Sequence, residues 1–329
     1  VSKVLELRDV SVAFAVGRTL FSGGRMAKAV DRVNLELGEG RTLALVGESG
    51  CGKTTTGKVA AGLIKPTEGS VLFYGKDVWK MKREEFKEFR KSVQIIHQDP
   101  YSSLNPMLTI FRALSAPLFR HKLVSSKEEA ADMVSKLLET VGLVPPEEFM
   151  NKYPHQLSGG QRQRVVIARA ISLNPKVIVA DEPVSMIDVS LRLQILHLMK
   201  DLQRKMGVAY LFITHDLATG RYFARDGYTA VMYLGTIVEF GPTNSVILEP
   251  LHPYTRALLS AIPEADPEKT RMKKVMELRS LDVPSLLNIP SGCKFHPRCP
   301  FFKEGKCDKQ PPERYYVGKD RWVACYLYE

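Results

Sequence analysis

No apolar run among the 329 residues approaches the roughly 18 needed to span a bilayer. The opening residues, Val1-Ser2-Lys3-Val4, move straight into an alternating pattern and lack a signal-peptide core. A cytosolic location is therefore expected, with any membrane crossing left to another chain. Internal repeats, low-complexity tracts and sustained heptads are missing as well, which removes a long coiled coil. Cysteine is almost absent until the end. Cys51 stands alone, while Cys293, Cys299, Cys307 and Cys325 fall in the last 37 residues of the chain. In a reducing compartment, four clustered cysteines read as a metal or cluster site before they read as disulfides.

What is present suits a globular chain with one large and one small domain: 44% hydrophobic and 25% charged residues. Lys and Arg number 47 against 36 Asp and Glu, a net charge of +11. Such an excess suits nucleic acid or an anionic membrane face, but the basic residues are spread along the chain and choose neither. Alternation at Val4 to Arg8 and at Val33 to Leu37 predicts half-buried antiparallel strands, separated by a Gly- and Arg-rich loop from Gly17 to Gly24. Apolar runs at Thr42 to Val46, Val177 to Ala180 and Ala209 to Ile213 alternate with helical stretches. That is the layout of a parallel α/β sheet. Pro106 to Pro154 carries no strand signal and reads as a helical insertion, with a helix over Lys127 to Thr140; a further helix is predicted over Lys269 to Leu278.

Three stretches carry chemistry. Gly47-Glu48-Ser49-Gly50-Cys51-Gly52-Lys53-Thr54, followed by Thr55, fits G-x-x-x-x-G-K-[ST] and lies between a strand and a helix. Glycines let successive N–H groups curl around a phosphate, and the following helix points its positive end at the same anion. Lys53 would reach the β/γ-phosphates and Thr54 would ligate Mg²⁺. Ser158-Gly159-Gly160-Gln161, taken alone, reads as a helix cap with Ser158 as N-cap. Asp181 and Glu182 end an apolar strand, where carboxylates are often merely solvated.

Taken together, the phosphate loop, Leu157-Ser158-Gly159-Gly160-Gln161 and the acidic strand end resemble the ATPase subunits of ABC transporters over about residues 4 to 250. The resemblance implies an α/β ABC-type P-loop ATPase fold, with an antiparallel β-subdomain, a parallel α/β core and a helical insertion at about 99–170. The ATPase domain would cover 1–262 and a small extension 263–329. The resemblance makes Asp181 the Mg²⁺-organising carboxylate, Glu182 the general base and His215 the γ-phosphate contact. Gln98 would touch both Mg²⁺ and the attacking water. Ser158 to Gln161, with Asp188, would act on an ATP held mainly by a partner subunit. His97 and Ser185-Met186-Ile187 depart from the residues usual before Gln98 and Asp188. For adenine stacking the candidate is Phe14, with Phe21 as competitor and a core role for Phe14 as the alternative.

Gln98-Asp99-Pro100-Tyr101-Ser102-Ser103-Leu104-Asn105-Pro106, His252-Pro253-Tyr254-Thr255-Arg256 and Cys293-Lys294-Phe295-His296-Pro297-Arg298-Cys299-Pro300 resemble one branch, the oligopeptide/dipeptide importers, and within it the second of two ATPase subunits. The implied partners are a sister ATPase in a heterodimer, two transmembrane permeases and an extracytoplasmic solute-binding protein, with no nucleic acid. The implied cargo is a peptide or related solute, an oligosaccharide included, and the implied location is the cytoplasmic face of the membrane. A translation-factor type would need two tandem modules, and this chain has one phosphate loop. The four tail cysteines, spaced by five, seven and seventeen residues, lack the paired knuckles of structural zinc. They are expected to hold a [4Fe–4S] cluster, with Zn²⁺ as the alternative.

Overall fold

Thr42–Val46 is apolar at every position but the first and forms a strand buried along its whole length, as a strand covered on both faces requires. The computed structural model describes residues 2–16, 25–262 and 275–329. The Gly17 to Gly24 loop, Phe21 and the first six residues of the helix expected at 269–278 lie outside these. Val275 to Leu278 are not helical. The chain divides into two units, each taken by itself: Val1–Leu5, Leu37–Arg41 and Phe73–Leu211 in one, Glu6–Glu36, Thr42–Leu72 and Phe212–Glu329 in the other.

In the unit built mainly from Phe73–Leu211, the strands Val93–Ile96 and Val177–Asp181 run parallel, with Val93 opposite Val177 and Ile96 opposite Ala180. Between them the chain is helical, with no strand: Pro100–Ser103, Ile110–Arg120, Lys127–Thr140, Glu147–Met150 and Gly159–Ile171. The Lys127–Thr140 helix shows why. Ser126 caps it by accepting from the Glu129 N–H at 3.1 Å, and Glu128 and Glu129 meet its positive end. Its buried Ala130, Val134 and Leu138 recur every four residues, one face of a helix. Val189–Met206 then stops at Gly207, whose φ of 66° few other residues would take.

In the other unit, Thr42–Val46 pairs in parallel with Tyr228–Tyr233, which pairs antiparallel with Thr236–Pro242. The C-terminal tail extends the same sheet. Trp322–Val323 lies antiparallel to Thr236–Pro242, and Tyr315–Tyr316 antiparallel to Trp322–Val323. A second sheet sets Lys3–Val16 between Arg25–Gly38 and Glu68–Phe73. One core joins the tail to this unit: Val46, Leu217, Val231, Tyr233 and Tyr254 are buried with Phe295 and Cys299. Among the described residues, no helix is long and apolar enough to cross a membrane.

Candidate functional site

The phosphate loop leaves the buried strand Thr42–Val46 and enters the helix Lys53–Ala60. Two glycines are required by their surroundings. A Cβ on Gly47 would lie 2.2 Å from the Met232 carbonyl oxygen, and one on Gly52 2.2 Å from that of Ala29; Gly52 also has a φ of 106°. Lys53 is buried, and its ammonium donates to the carbonyls of Gly47 at 2.8 Å and Glu48 at 2.9 Å. The loop is thus already wound around the lysine that would meet phosphate. Ser49, Gly50 and Thr54 are exposed, and Thr55 is half-buried. Cys51 is buried, its thiol pKa raised by desolvation.

In the same unit, His215 is exposed just beyond the strand Ala209–Thr214, and Asp216 caps the next helix by accepting from the Ala218 N–H at 2.9 Å. Phe14, at 42% exposed, is less buried than a core strand aromatic would be.

The other unit carries the carboxylates. Because Ile96 faces Ala180 in the parallel register, two further residues on each strand bring Gln98 beside Glu182. The Gln98 Nε2 amide donates to Glu182 Oε2 at 3.0 Å. Asp181 is buried at the strand end, while Glu182 is half-buried with a φ of +48°, a left-handed conformation rare for a glutamate.

Ser158 caps the helix Gly159–Ile171 in a reciprocal box: its Oγ accepts from the Gln161 N–H at 3.3 Å, and Gln161 Oε1 accepts from the Ser158 N–H at 3.0 Å. Buried Arg162 fixes the approach to this cap. It donates to the carbonyls of Pro154 at 2.9 Å and Leu157 at 2.8 Å, and its guanidinium lies 3.6 Å over the Tyr101 ring. A Cβ on Gly160 would press on Leu191 at 3.1 Å, so small size is needed there for packing. Asp188 opens the helix Val189–Met206 and is exposed.

The tail departs from expectation. Cys293, Cys299, Cys307 and Cys325 do converge, lining one cavity of about 20 Å³ with His252 and Phe295. That is room for one water-sized occupant. Yet no group of three or more His, Cys, Asp or Glu side chains among the described residues is disposed to hold a metal ion. Burial pushes the Cys293 thiol up to about 12 and Cys299 up to about 11, and raises Cys325. The expected [4Fe–4S] centre, or Zn²⁺ in its place, finds no support in this arrangement.

Two residues quoted above only as part of the importer-like stretches take a place at the phosphate loop that the sequence does not assign them. Tyr254 Oη accepts from the Glu48 N–H at 2.8 Å, and Arg298 grips both Glu48 carboxylate oxygens at 2.8 and 3.0 Å. The signal in the sequence is their place in His252 to Arg256 and Cys293 to Pro300, the stretches that resemble the importer branch.

The ABC transporter family matches residues 30–185, and the family described as "Oligopeptide/dipeptide transporter, C-terminal region" matches residues 238–307. The oligopeptide transport ATP-binding protein OppF of Salmonella typhimurium is 46% identical over 90% of this chain and 88% of its own length. The di/tripeptide transport ATP-binding protein DppF of Pseudomonas aeruginosa is 43% identical over 98% of this chain and 97% of its own. The chain belongs to the oligopeptide/dipeptide family of ABC transporter ATP-binding subunits. As an ABC ATPase, it also resembles a dimeric post-hydrolysis state of the cassette MJ0796 bound to ADP and Pi. The TM-score there is 0.63 at 30% identity, covering 73% of this chain and 98% of that one.

Proposed function

We propose that this subunit hydrolyses ATP to drive peptide import, working at the cytoplasmic face of a membrane. Its partners would be a sister ATPase, two permeases and a solute-binding protein. The observation that carries the catalytic reading is the Gln98–Glu182 hydrogen bond. A general base must be held in one orientation to polarise water, and the amide does that while adding no charge. Lys53 would exchange its carbonyl partners for phosphate oxygens, and the first amides of the Gly159–Ile171 helix remain as donors for a partner's γ-phosphate. Thr54, Gln98 and Asp181 offer the hard oxygen donors that Mg²⁺ takes, and the ion when bound neutralises phosphate charge. Phe14 would stack on adenine, and His215 and Asp188 would complete the contacts. The peptide assignment rests on the likeness to OppF and DppF over nearly the whole chain.

Steady-state hydrolysis set beside nucleotide binding tests the reading. Lys53→Ala is expected to weaken ATP binding. Glu182→Gln is expected to keep it and lose about 100-fold or more in turnover. Near-normal turnover in Glu182→Gln would sink the assignment.

A further inference from the structure

Glu48 is the first variable position of the phosphate loop, and each of its polar groups is occupied. Its carbonyl accepts from Lys53 Nζ at 2.9 Å, its N–H donates to Tyr254 Oη at 2.8 Å, and its carboxylate receives a two-pronged bond from Arg298 at 2.8 and 3.0 Å. Two of the three partners come from the last quarter of the chain; Arg298 is 250 residues away in sequence. The clamp is rigid for visible reasons. Arg298 is 5% exposed, and its own backbone is tied at both ends: its N–H donates to Phe295 and its carbonyl accepts from Arg279. Phe295 is buried against Tyr254 and Tyr233, with ring centres 5.4 and 5.3 Å apart. A planar guanidinium on both carboxylate oxygens fixes direction as well as distance.

From this we infer that the C-terminal extension is a working part of the ATP site, with Arg298 a positioning residue that sets the phosphate loop through Glu48. The carbonyls that hold the Lys53 ammonium belong to Gly47 and Glu48, so the clamp on Glu48 also sets where that charge waits for phosphate. Loosening it leaves the loop foldable but no longer preformed, and the cost of ordering it then falls on nucleotide binding. The inference rests on reading residues 47–54 as the ATP-binding loop.

The test is ATP affinity of the full-length chain, titrated with a fluorescent ATP analogue, for Arg298→Ala, Arg298→Lys, Glu48→Gln and the Arg298→Ala/Glu48→Gln pair. Thermal melts run alongside, and Lys53→Ala serves as reference. Arg298→Ala is expected to weaken binding about tenfold, as misplaced phosphate donors should. Arg298→Lys should fall between, since an ammonium cannot match both oxygens. The pair should bind no worse than the weaker single variant, because both changes break one interaction. A merely structural role would lower the melting temperature and leave affinity alone. Wild-type affinity in Arg298→Ala, or losses that multiply in the pair, would overturn the inference. If Arg298→Ala does not fold, the size-conserving Arg298→Lys and Glu48→Gln decide, and wild-type affinity in both overturns it equally. If Lys53→Ala itself binds ATP normally, the loop assignment has failed instead.

Discussion

Glu182 occupies a left-handed backbone conformation, φ +48°, directly after a strand buried at every position. Non-glycine residues hold such geometry at a cost of about 1–3 kcal/mol, and it persists where surrounding structure enforces it. Here the enforcement is local: the Ser185 N–H and Oγ both donate to the Glu182 carbonyl, at 3.2 and 3.0 Å. With its backbone turned, the side chain meets Gln98. Gln98→Ala should therefore lower turnover about tenfold while leaving ATP affinity measured without Mg²⁺ unchanged, because it frees the base without touching the phosphate loop. Single-turnover hydrolysis measured beside nucleotide binding separates the two effects. A drop in affinity with turnover intact would show that Gln98 serves binding and not the base.

Helix and loop ends carry the next set of consequences. The helix Pro253–Ser260 is capped by His252, whose Nδ1 accepts from the Tyr254 N–H at 3.0 Å. An acceptor nitrogen must be unprotonated, and burial, aided by the Arg256 charge, pushes this imidazole down from 6.5 to about 3. Above pH 6.5 both folded and unfolded chains carry it neutral. Below that, the unfolded chain takes up a proton that the folded one refuses, so stability is lost as pH falls toward 3. The loss by pH 5 should be on the order of 2 kcal/mol. Denaturant midpoints at pH 7 and pH 5 measure it, and His252→Asn, which keeps a capping side chain, should flatten the difference. An equal drop in both proteins would contradict it. Gly52→Ala should cost about 1 kcal/mol or more through its φ of 106° and the nearby Ala29 carbonyl, seen as a lower melting temperature.

At this scale, too, the sequence was most readable. The phosphate loop, the helix-opening Ser158 and the Lys127–Thr140 helix are contiguous patterns whose chemistry is local. The strands Tyr315–Tyr316 and Trp322–Val323 were not readable, because two residues carry no period. Nor was the Arg298–Glu48 pair, which only the fold brings together. The cysteines were read half correctly. Their crowding in sequence does become crowding around one cavity, but its size and the burial of the thiols are tertiary facts.

For the whole molecule, the divided catalytic equipment sets the expectation. The Ser158 helix start is exposed, as are Asp188 and the neighbouring Met186 and Val189, at 59% and 74%. A second ATPase subunit would cover such a surface. The purified chain should be mostly monomeric without ATP and a poor ATPase, gaining activity when prepared with the proposed sister ATPase and permeases. Light scattering and hydrolysis rates at matched concentrations check this, and a fully active, tight homodimer at low concentration would oppose it. The most direct test of the central claim is ATP-dependent uptake of a labelled oligopeptide into proteoliposomes. These would hold the chain with its sister ATPase and permeases, and the solute-binding protein would be supplied outside. Uptake should require ATP and fall to background when Glu182→Gln replaces the native chain. Peptide accumulation at an undiminished rate with Glu182→Gln, or none at all with the native chain while ATP is hydrolysed, would contradict it.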